Sequence, residues 1–529
     1  MGLQRELPPL LVRADASVTS GTGHVMRCLA LAEAWQRRGA AVHYVTCQPA
    51  PTLSQRIESA GAQVSALATA YPSSDDAELT LATLAQLARR HETRPWLVVD
   101  GYHFDAAYLA QFPATLCHRL IVDDFARLPY YDADILLNHG VHAPRLEYQA
   151  HPSAWQLLGT RYALLRGEFF RWRNFARSHR ALARNVLVSL GGADCDNITA
   201  KVIEALRRVD LDDMAARVIV GPLHPELDEL RRMVAMDERI HLQTDVTDLA
   251  PLTAWADLAI AAGGTTAWEL AYMQVPALLL VLAENQWAAT RGSEQFGAAR
   301  SLGWAAHVSY EEIAKQLRAL SDDREQRARM GKRGRQMVDG LGVARVVTAM
   351  SERLSFTSAD NLSVRAAGSA DSLLIWQWAN DPTTRLRSFN PEPIPWHEHE
   401  AWFSAKLASP TCRIWILQIG DLPVGQIRYE RVESWEGPSA EISYSMAPGF
   451  RGMRLGTALL EATVELAAQE LAVRWIKAVA FSDNQASRGA FLNAQFDASE
   501  TCIVGGRACT VFRRACAVAL RSEDHVPFH

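Results

Sequence analysis

The sequence predicts an α/β protein: two lobes built on parallel sheets, then a smaller mixed α+β domain. Three observations predict it. Short apolar runs alternate with longer amphipathic ones from about residue 10 to 345. The rhythm restarts once, near residue 186. It ends at a polar stretch, Ser351–Asn361, after which the pattern changes. Strand–helix alternation implies parallel sheets with helices on both faces.

Leu10–Arg13, Ala41–Cys47, Trp96–Asp100 and His118–Val122 read as strands of the first lobe, with Val25–Arg38 and Ala77–Arg90 as helices. The second lobe follows with strands at Val186–Ser189, Val218–Val220, Leu258–Ala261 and Ala277–Val281. Its helices are Ile198–Val209, Pro225–Met236, Thr265–Met273 and Arg324–Val338. After the linker, Leu373–Trp378, His397–Leu407 and Thr457–Gln469 read as helices. Ile414–Ile419, Val424–Glu430, Glu441–Met446 and Trp475–Ala480 read as strands. The expected boundaries are 1–165 and 166–350 for the lobes, 351–361 for the linker and 362–529 for the last domain. Ligands of such parallel sheets sit at the carboxyl ends of the strands.

Composition agrees. At roughly 150 residues per domain, 529 residues predict three to four domains. A net charge of −5 argues against a broad basic surface, and so against nucleic acid as the main partner. Eight scattered cysteines without a CxxC pair suggest neither a zinc ribbon nor a disulfide framework, and fit a reducing cytoplasm. The N-terminus has no secretory signal pattern, and the most apolar run, Ala277–Ala283, is too short to span a bilayer. The expected partners are therefore small molecules rather than nucleic acid or membrane.

The first candidate site follows the first strand: Arg13, Asp15, Ser17, Gly21, Gly23 and His24. Glycines there permit a tight turn and close approach to a ligand. The helix start offers unpaired N–H groups to an anion. Alone, a GxG is equally an ordinary strand–helix turn.

This segment resembles the N-terminal signature of the UDP-sugar hydrolases of pseudaminic acid biosynthesis, which are two-lobed proteins of GT-B architecture. The resemblance continues at Asp100-Gly101-Tyr102, Asp123-Asp124, Asp134 to Asn138, and Ser189-Leu-Gly191-Gly192-Ala-Asp194. It is strongest at Ala262-Gly263-Gly264-Thr265-Thr266-Ala-Trp-Glu269, followed by Glu284-Asn285-Gln286. It implies two Rossmann-like lobes in a GT-B arrangement and an inverting hydrolysis. His24 would be the general base, with Asp15 orienting it. Gly263, Gly264, Thr265 and Thr266 would bind the diphosphate, and Glu269 the ribose. Asn285 and Gln286 would contact the sugar, with Arg13, Gly21, Gly23, Tyr102, Asn138, Gly191 and Gly192 as further UDP-sugar contacts.

The chemistry is consistent. A diphosphate is a good leaving group, so general acid help is less needed than in ordinary glycosidases. What remains is to orient a water, a task suited to histidine at neutral pH. Asp132-Ala-Asp134 is a DxD, but its second aspartate opens the Asp134–Asn138 element and it is read as a turn; no metal is expected.

The second candidate site is Met446-Ala-Pro-Gly-Phe-Arg451-Gly452-Met-Arg454-Leu455-Gly456-Thr457, a loop between a strand and a helix. It resembles the acyl-CoA signature of GNAT-type acetyltransferases, which implies acetyl-CoA as co-substrate, held by these residues. Arg454 stands where the middle glycine is usual. Asn484 and Ser487 resemble the family's N-x-x-S element at the cofactor arm, and Phe491 stands where a tyrosine acid is often found. Glu441 is a candidate base, or equally a structural strand glutamate. Arg385 and His399 are candidate acceptor contacts.

The two resemblances together imply a bifunctional enzyme. It would N-acetylate UDP-4-amino-4,6-dideoxy-N-acetyl-β-L-altrosamine and then remove UDP from the product by hydrolysis. Alternatives are glycosyl transfer to a hydroxyl, another amine or acyl chain, or a non-catalytic sensor of nucleotide sugars.

Overall fold

The structure, a computed structural model, describes residues 6–17, 21–191, 194, 196–211, 213–221, 224–244, 246–354, 356, 362–434 and 437–516. The chain divides into two compact units, Met1–Ser351 and Glu352–His529.

The first unit contains two parallel sheets. Strands β1 (Leu10–Ala14), β2 (Val42–Cys47), β3 (Gln63–Leu67), β4 (Trp96–Asp100), β5 (His118–Val122), β6 (Ile135–Asn138) and β7 (Trp155–Leu158) lie in the order β3-β2-β1-β4-β5-β6-β7. Strands β8 (Asn185–Ser189), β9 (Ala215–Ile219), β10 (Ile240–Gln243), β11 (Leu258–Ala262), β12 (Ala277–Val281) and β13 (Arg300–Trp304) lie in the order β10-β9-β8-β11-β12-β13. Both orders start from a central first strand and reverse beside it, which is the Rossmann-like topology. The two lobes face each other across a cleft, the GT-B arrangement.

The central strands are buried along their whole length: β1, β4, β5, β11 and β12 each show five buried residues. Continuous apolar runs such as Ala277–Val281 therefore mark strands covered on both faces. Sequence reading misses β3, β6, β7, β10 and β13. β3 is half exposed, and the others are short or broken by polar residues.

Alternation decides which side chains reach the cleft. Leu11, Leu97 and Val99 belong to a core shared with Ala77, Leu84 and Leu87 of helix Ser74–His91. Arg13 and Asp15 continue the Leu11 face of the chain, whereas Asp100 points the other way, toward α1 (Gly23–Gln36).

The second unit holds one mixed sheet. Strands β14 (Leu362–Ala366), β15 (Cys412–Ile419), β16 (Leu422–Ser434), β17 (Gly437–Met446), β18 (Trp475–Phe481), β19 (Asp497–Val504) and β20 (Arg507–Ala515) lie in the order β14-β15-β16-β17-β18-β20-β19. All neighbours are antiparallel except β17 and β18. That parallel pair is registered only at Ser439–Glu441 with Trp475–Lys477. Beyond Glu441 the two strands part and open a wedge in the sheet.

Candidate functional site

The loop after β1 turns at Gly21, whose φ of +69° suits glycine, and Gly21 N–H donates to Ser17 O at 2.8 Å. α1 then begins at Gly23. Its cap residue, Thr22, makes no side-chain cap, so first-turn N–H groups stay open toward the cleft.

His24, one residue on, anchors a buried polar network. Its Nδ1 lies 2.6 Å from Asp100 Oδ1. Arg27, one turn further along α1, forks onto both Asp100 oxygens at 2.6 and 2.7 Å. It also donates to Asp124 at 2.9 and 3.0 Å, and its Nη1 lies 3.1 Å from His139 Nε2. Burial alone would raise the Asp100 and Asp124 carboxyls. Arg27 outweighs it, so Asp100 is held well below the usual carboxylate range and Asp124 is lowered to about 2. Burial, reinforced by Arg27, pushes His139 down to about 4. Two carboxylates thus meet one guanidinium with His139 neutral. Nδ1 is committed to Asp100, which leaves Nε2 for the cleft. The Tyr102 ring stands edge-on to His24 at 4.6 Å and 84°.

The opposite wall is the loop from β11 into α2 (Thr265–Tyr272). Gly264 is its cap and supplies no side chain, so these N–H groups are open as well. A Cβ on Gly23 would approach Thr265 Oγ1 at 3.9 Å, so the two glycine loops face each other. A Cβ on Gly263 would lie 2.0 Å from Thr290 Oγ1, so only glycine fits against α3 (Glu284–Phe296). Between these walls lies a cavity of about 870 Å³. His24, Tyr102, Gly191, Gly263 to Thr266, Glu269, Asn285 and Gln286 all line it.

Several expected contacts fall elsewhere. Arg13 is fully buried and forks onto Asp76 at 2.8 and 2.5 Å and onto Asp15 at 2.5 and 2.7 Å. Asp15 also accepts from Cys47 N–H at 2.7 Å and lies 3.0 Å from His103. The carboxylate that holds His24 is Asp100, not Asp15, because alternation turns Arg13 and Asp15 to the other face of the sheet. Asn138 shares the face of Leu136. It is buried, donates to Tyr148 Oη at 2.8 Å and accepts from Gly140 N–H at 2.8 Å. Gly192 lies outside the described residues. Asp132 takes the Arg119 guanidinium at 2.8 and 3.0 Å and Asp134 accepts Arg119 N–H at 3.0 Å, which accounts for the DxD.

Glu269 lines the cavity with its carboxylate gripped by Arg166 at 2.6 and 2.7 Å. Gln286 Oε1 accepts from Leu282 N–H at 3.0 Å. Arg27, Asp124, His139 and Arg166 also line the cavity and were not singled out as site residues. For Arg27 a signal existed, since it lies three residues from His24 on one helix face. Among the described residues, no group of three or more His, Cys, Asp or Glu could hold a metal ion.

In the second unit, the loop after Met446 enters α4 (Leu455–Leu471) through Gly452, at φ +79°, and Arg454, at φ +60°. Arg454 is the helix cap and makes no side-chain cap. Left-handed turns before a helix gather amides into a concavity of the kind that takes anions. A Cβ on Gly452 would meet nothing within 4 Å, so the loop is open there. Leu455 is buried and anchors the helix start. Gly456 lets Tyr444 pack close: a Cβ there would lie 3.3 Å from its ring.

Arg451 donates to Asp381 and Thr384 at 2.5 and 2.9 Å. Asn484 Oδ1 accepts from Ser487 N–H at 3.2 Å, capping α5 (Gln485–Asn493). Tyr444 Oη donates to Ser487 Oγ at 3.3 Å, and Phe491 packs edge-on to Tyr444. Glu441 is exposed, at the point where β17 and β18 part. The two expected acceptor contacts are structural instead. Arg385 donates to the carbonyls of Ala379, Asn390 and Glu392. His399 is buried, with Nε2 2.8 Å from Ser372 O, and burial pushes it down to about 4.

The family described as "Acetyltransferase (GNAT) domain" matches residues 361–497, so the second unit carries a GNAT acetyltransferase domain. The chain is 29% identical over 170 residues to the spore coat polysaccharide biosynthesis protein SpsG of Bacillus subtilis, covering 32% of this chain and 50% of that protein. It is 23% identical over 286 residues to an uncharacterized protein of Methanocaldococcus jannaschii, covering 52% and 56%. The chain thus spans about half the length of the curated relatives it matches. Among solved structures it is similar to MurG of Acinetobacter baumannii, with 15% identity, a TM-score of 0.44, and coverage of 65% of this chain and 100% of that one. No helix among the described residues is long and apolar enough to cross a membrane.

Proposed function

We propose that the chain is a bifunctional sugar-nucleotide enzyme. The second unit N-acetylates the 4-amino group of UDP-4-amino-4,6-dideoxy-N-acetyl-β-L-altrosamine, using acetyl-CoA. The first unit hydrolyses the resulting UDP-2,4-diacetamido-2,4,6-trideoxy-β-L-altropyranose. One observation carries the hydrolase reading: His24, held by the buried Asp100, and the open helix start at Gly264 line the same cavity.

In the hydrolysis, His24 Nε2 takes a proton from a water that attacks the anomeric carbon. Asp100 steadies the imidazolium. The C–O bond to the diphosphate breaks from the opposite face, and UDP leaves toward the N–H groups of Gly264 to Thr266. The anomeric centre inverts. In the acetylation, the sugar amine attacks the thioester carbonyl, an N–C bond forms and the C–S bond breaks. The amine proton leaves through water to Glu441, and the coenzyme departs as the thiolate. The amides between Gly452 and Thr457 hold its pyrophosphate.

Incubation with acetyl-CoA and the UDP-amino sugar tests both halves. Free diacetamido sugar plus UDP is the expected product. Acetylated nucleotide without UDP release sinks the hydrolase, and release of unacetylated sugar sinks the acetylation.

A further inference from the structure

Cys502 and Cys509 stand directly opposite each other in the antiparallel pair β19–β20. The hairpin between them turns through Gly505 and Gly506, both at positive φ, and the strands' one register shift lies further off, between Ala498 and Glu500. Directly opposed residues point to one face and stand about 4.5–5.5 Å apart from Cα to Cα. A disulfide needs about 4.4–6.8 Å. Both cysteines are thiols, and among the described residues no other two cysteines share a cross-strand register. β19 is the edge strand of its sheet, and Cys502 is only half-buried, within reach of a small oxidant. Cys509 is fully buried, with its Sγ 3.6 Å from Arg507 O. Burial, with the Cys502 thiol beside it, pushes the Cys509 thiol up, which leaves the first attack to Cys502.

We propose that Cys502 and Cys509 are a reversible redox site, which closes into a cross-strand disulfide when the protein meets a small disulfide oxidant. The Cys502 thiolate attacks one sulfur of the oxidant, the oxidant's S–S bond breaks and one thiolate leaves. Cys509, its proton given up to solvent, then attacks the Cys502 sulfur of the mixed disulfide. The second thiolate leaves and the Sγ–Sγ bond forms. Two protein thiols are oxidised, and one small disulfide is reduced to two thiols. The site backs the proposed cofactor arm: Cys509 is registered with Phe481 on β18, and Arg507 pairs with Asp483, beside Asn484. The proposal goes beyond the acetylation reading and does not depend on it.

The test takes the full chain through glutathione buffers stepped from reduced to oxidised, native and in guanidinium chloride, and then blocks free thiols with N-ethylmaleimide. Trypsin cuts at Arg507, between the two cysteines, so the bond links peptides 489–507 and 508–513. We expect the native oxidised protein to lose two maleimide labels, at Cys502 and Cys509, and to yield that linked pair. Both labels return when the buffer is changed back to reduced glutathione. Cys509→Ser should instead hold a glutathione adduct at Cys502, and Cys502→Ser should keep Cys509 as a free thiol. No linked peptide at the most oxidising step, a link from either cysteine to a different one, or a link formed only in the unfolded chain overturns the proposal. So does a wild-type protein that keeps glutathione on Cys502 while Cys509 still takes its label.

Discussion

His24 Nδ1 and Asp100 Oδ1 are 2.6 Å apart, joining the first turn of α1 to the last residue of β4 across 76 positions of sequence. The pair fixes which imidazole nitrogen faces the cleft. Asp100→Asn keeps the shape but not the charge. We predict a loss in kcat for UDP release of roughly 10²–10⁴-fold, by analogy with the aspartate of a serine-protease triad. UDP affinity should change little. Steady-state kinetics with parallel UDP titration checks this, and retained turnover would remove Asp100 from the mechanism.

Arg166 neutralises Glu269, whose carboxylate is almost wholly buried. Removing one partner of such a pair strands the other charge. Arg166→Leu should destabilise the first unit by about 3 kcal/mol and weaken UDP binding. Arg166→Lys, which keeps the charge but loses the fork, should fall between. Denaturant melts and UDP titration report the two effects.

Arg454 sits at φ +60°, where a side chain costs about 1–2 kcal/mol. Arg454→Gly should therefore be neutral or stabilising, whereas the β-branched Arg454→Val should destabilise the second unit. If the valine variant melts with the wild type, the loop does not need its left-handed turn.

His139 is held neutral, lowered from 6.5 to about 4. Below pH 6.5 the unfolded chain takes up a proton there that the native protein refuses until about pH 4. Stability is therefore full above pH 6.5 and declines as pH falls toward 4. His139→Gln should flatten that decline in melts taken between pH 7.5 and pH 4.5. An unchanged slope would assign the acid sensitivity to other groups, of which buried His399 is one.

Much of the fold is legible because its strands are fully buried and therefore continuous in hydrophobicity, as at Trp96–Asp100 and Ala277–Val281. β3 and β13 escape because half-covered strands lack that signature. The site is legible where function is carried by backbone. The glycine loops at Gly21–Gly23, Gly263–Gly264 and Gly452–Gly456 announce turns that open helix starts. It is less legible where side chains meet across the sheet. Arg13 and Asp15 stand beside His24 in sequence yet face away from it.

Local periodicity and glycine geometry specify the alternation of strand and helix, the two lobes and the added domain, and the loops where anions would sit. Long-range packing places Asp100 rather than Asp15 against His24 and sets Arg27 between two carboxylates. Those choices depend on which strands lie side by side and which face of each meets α1.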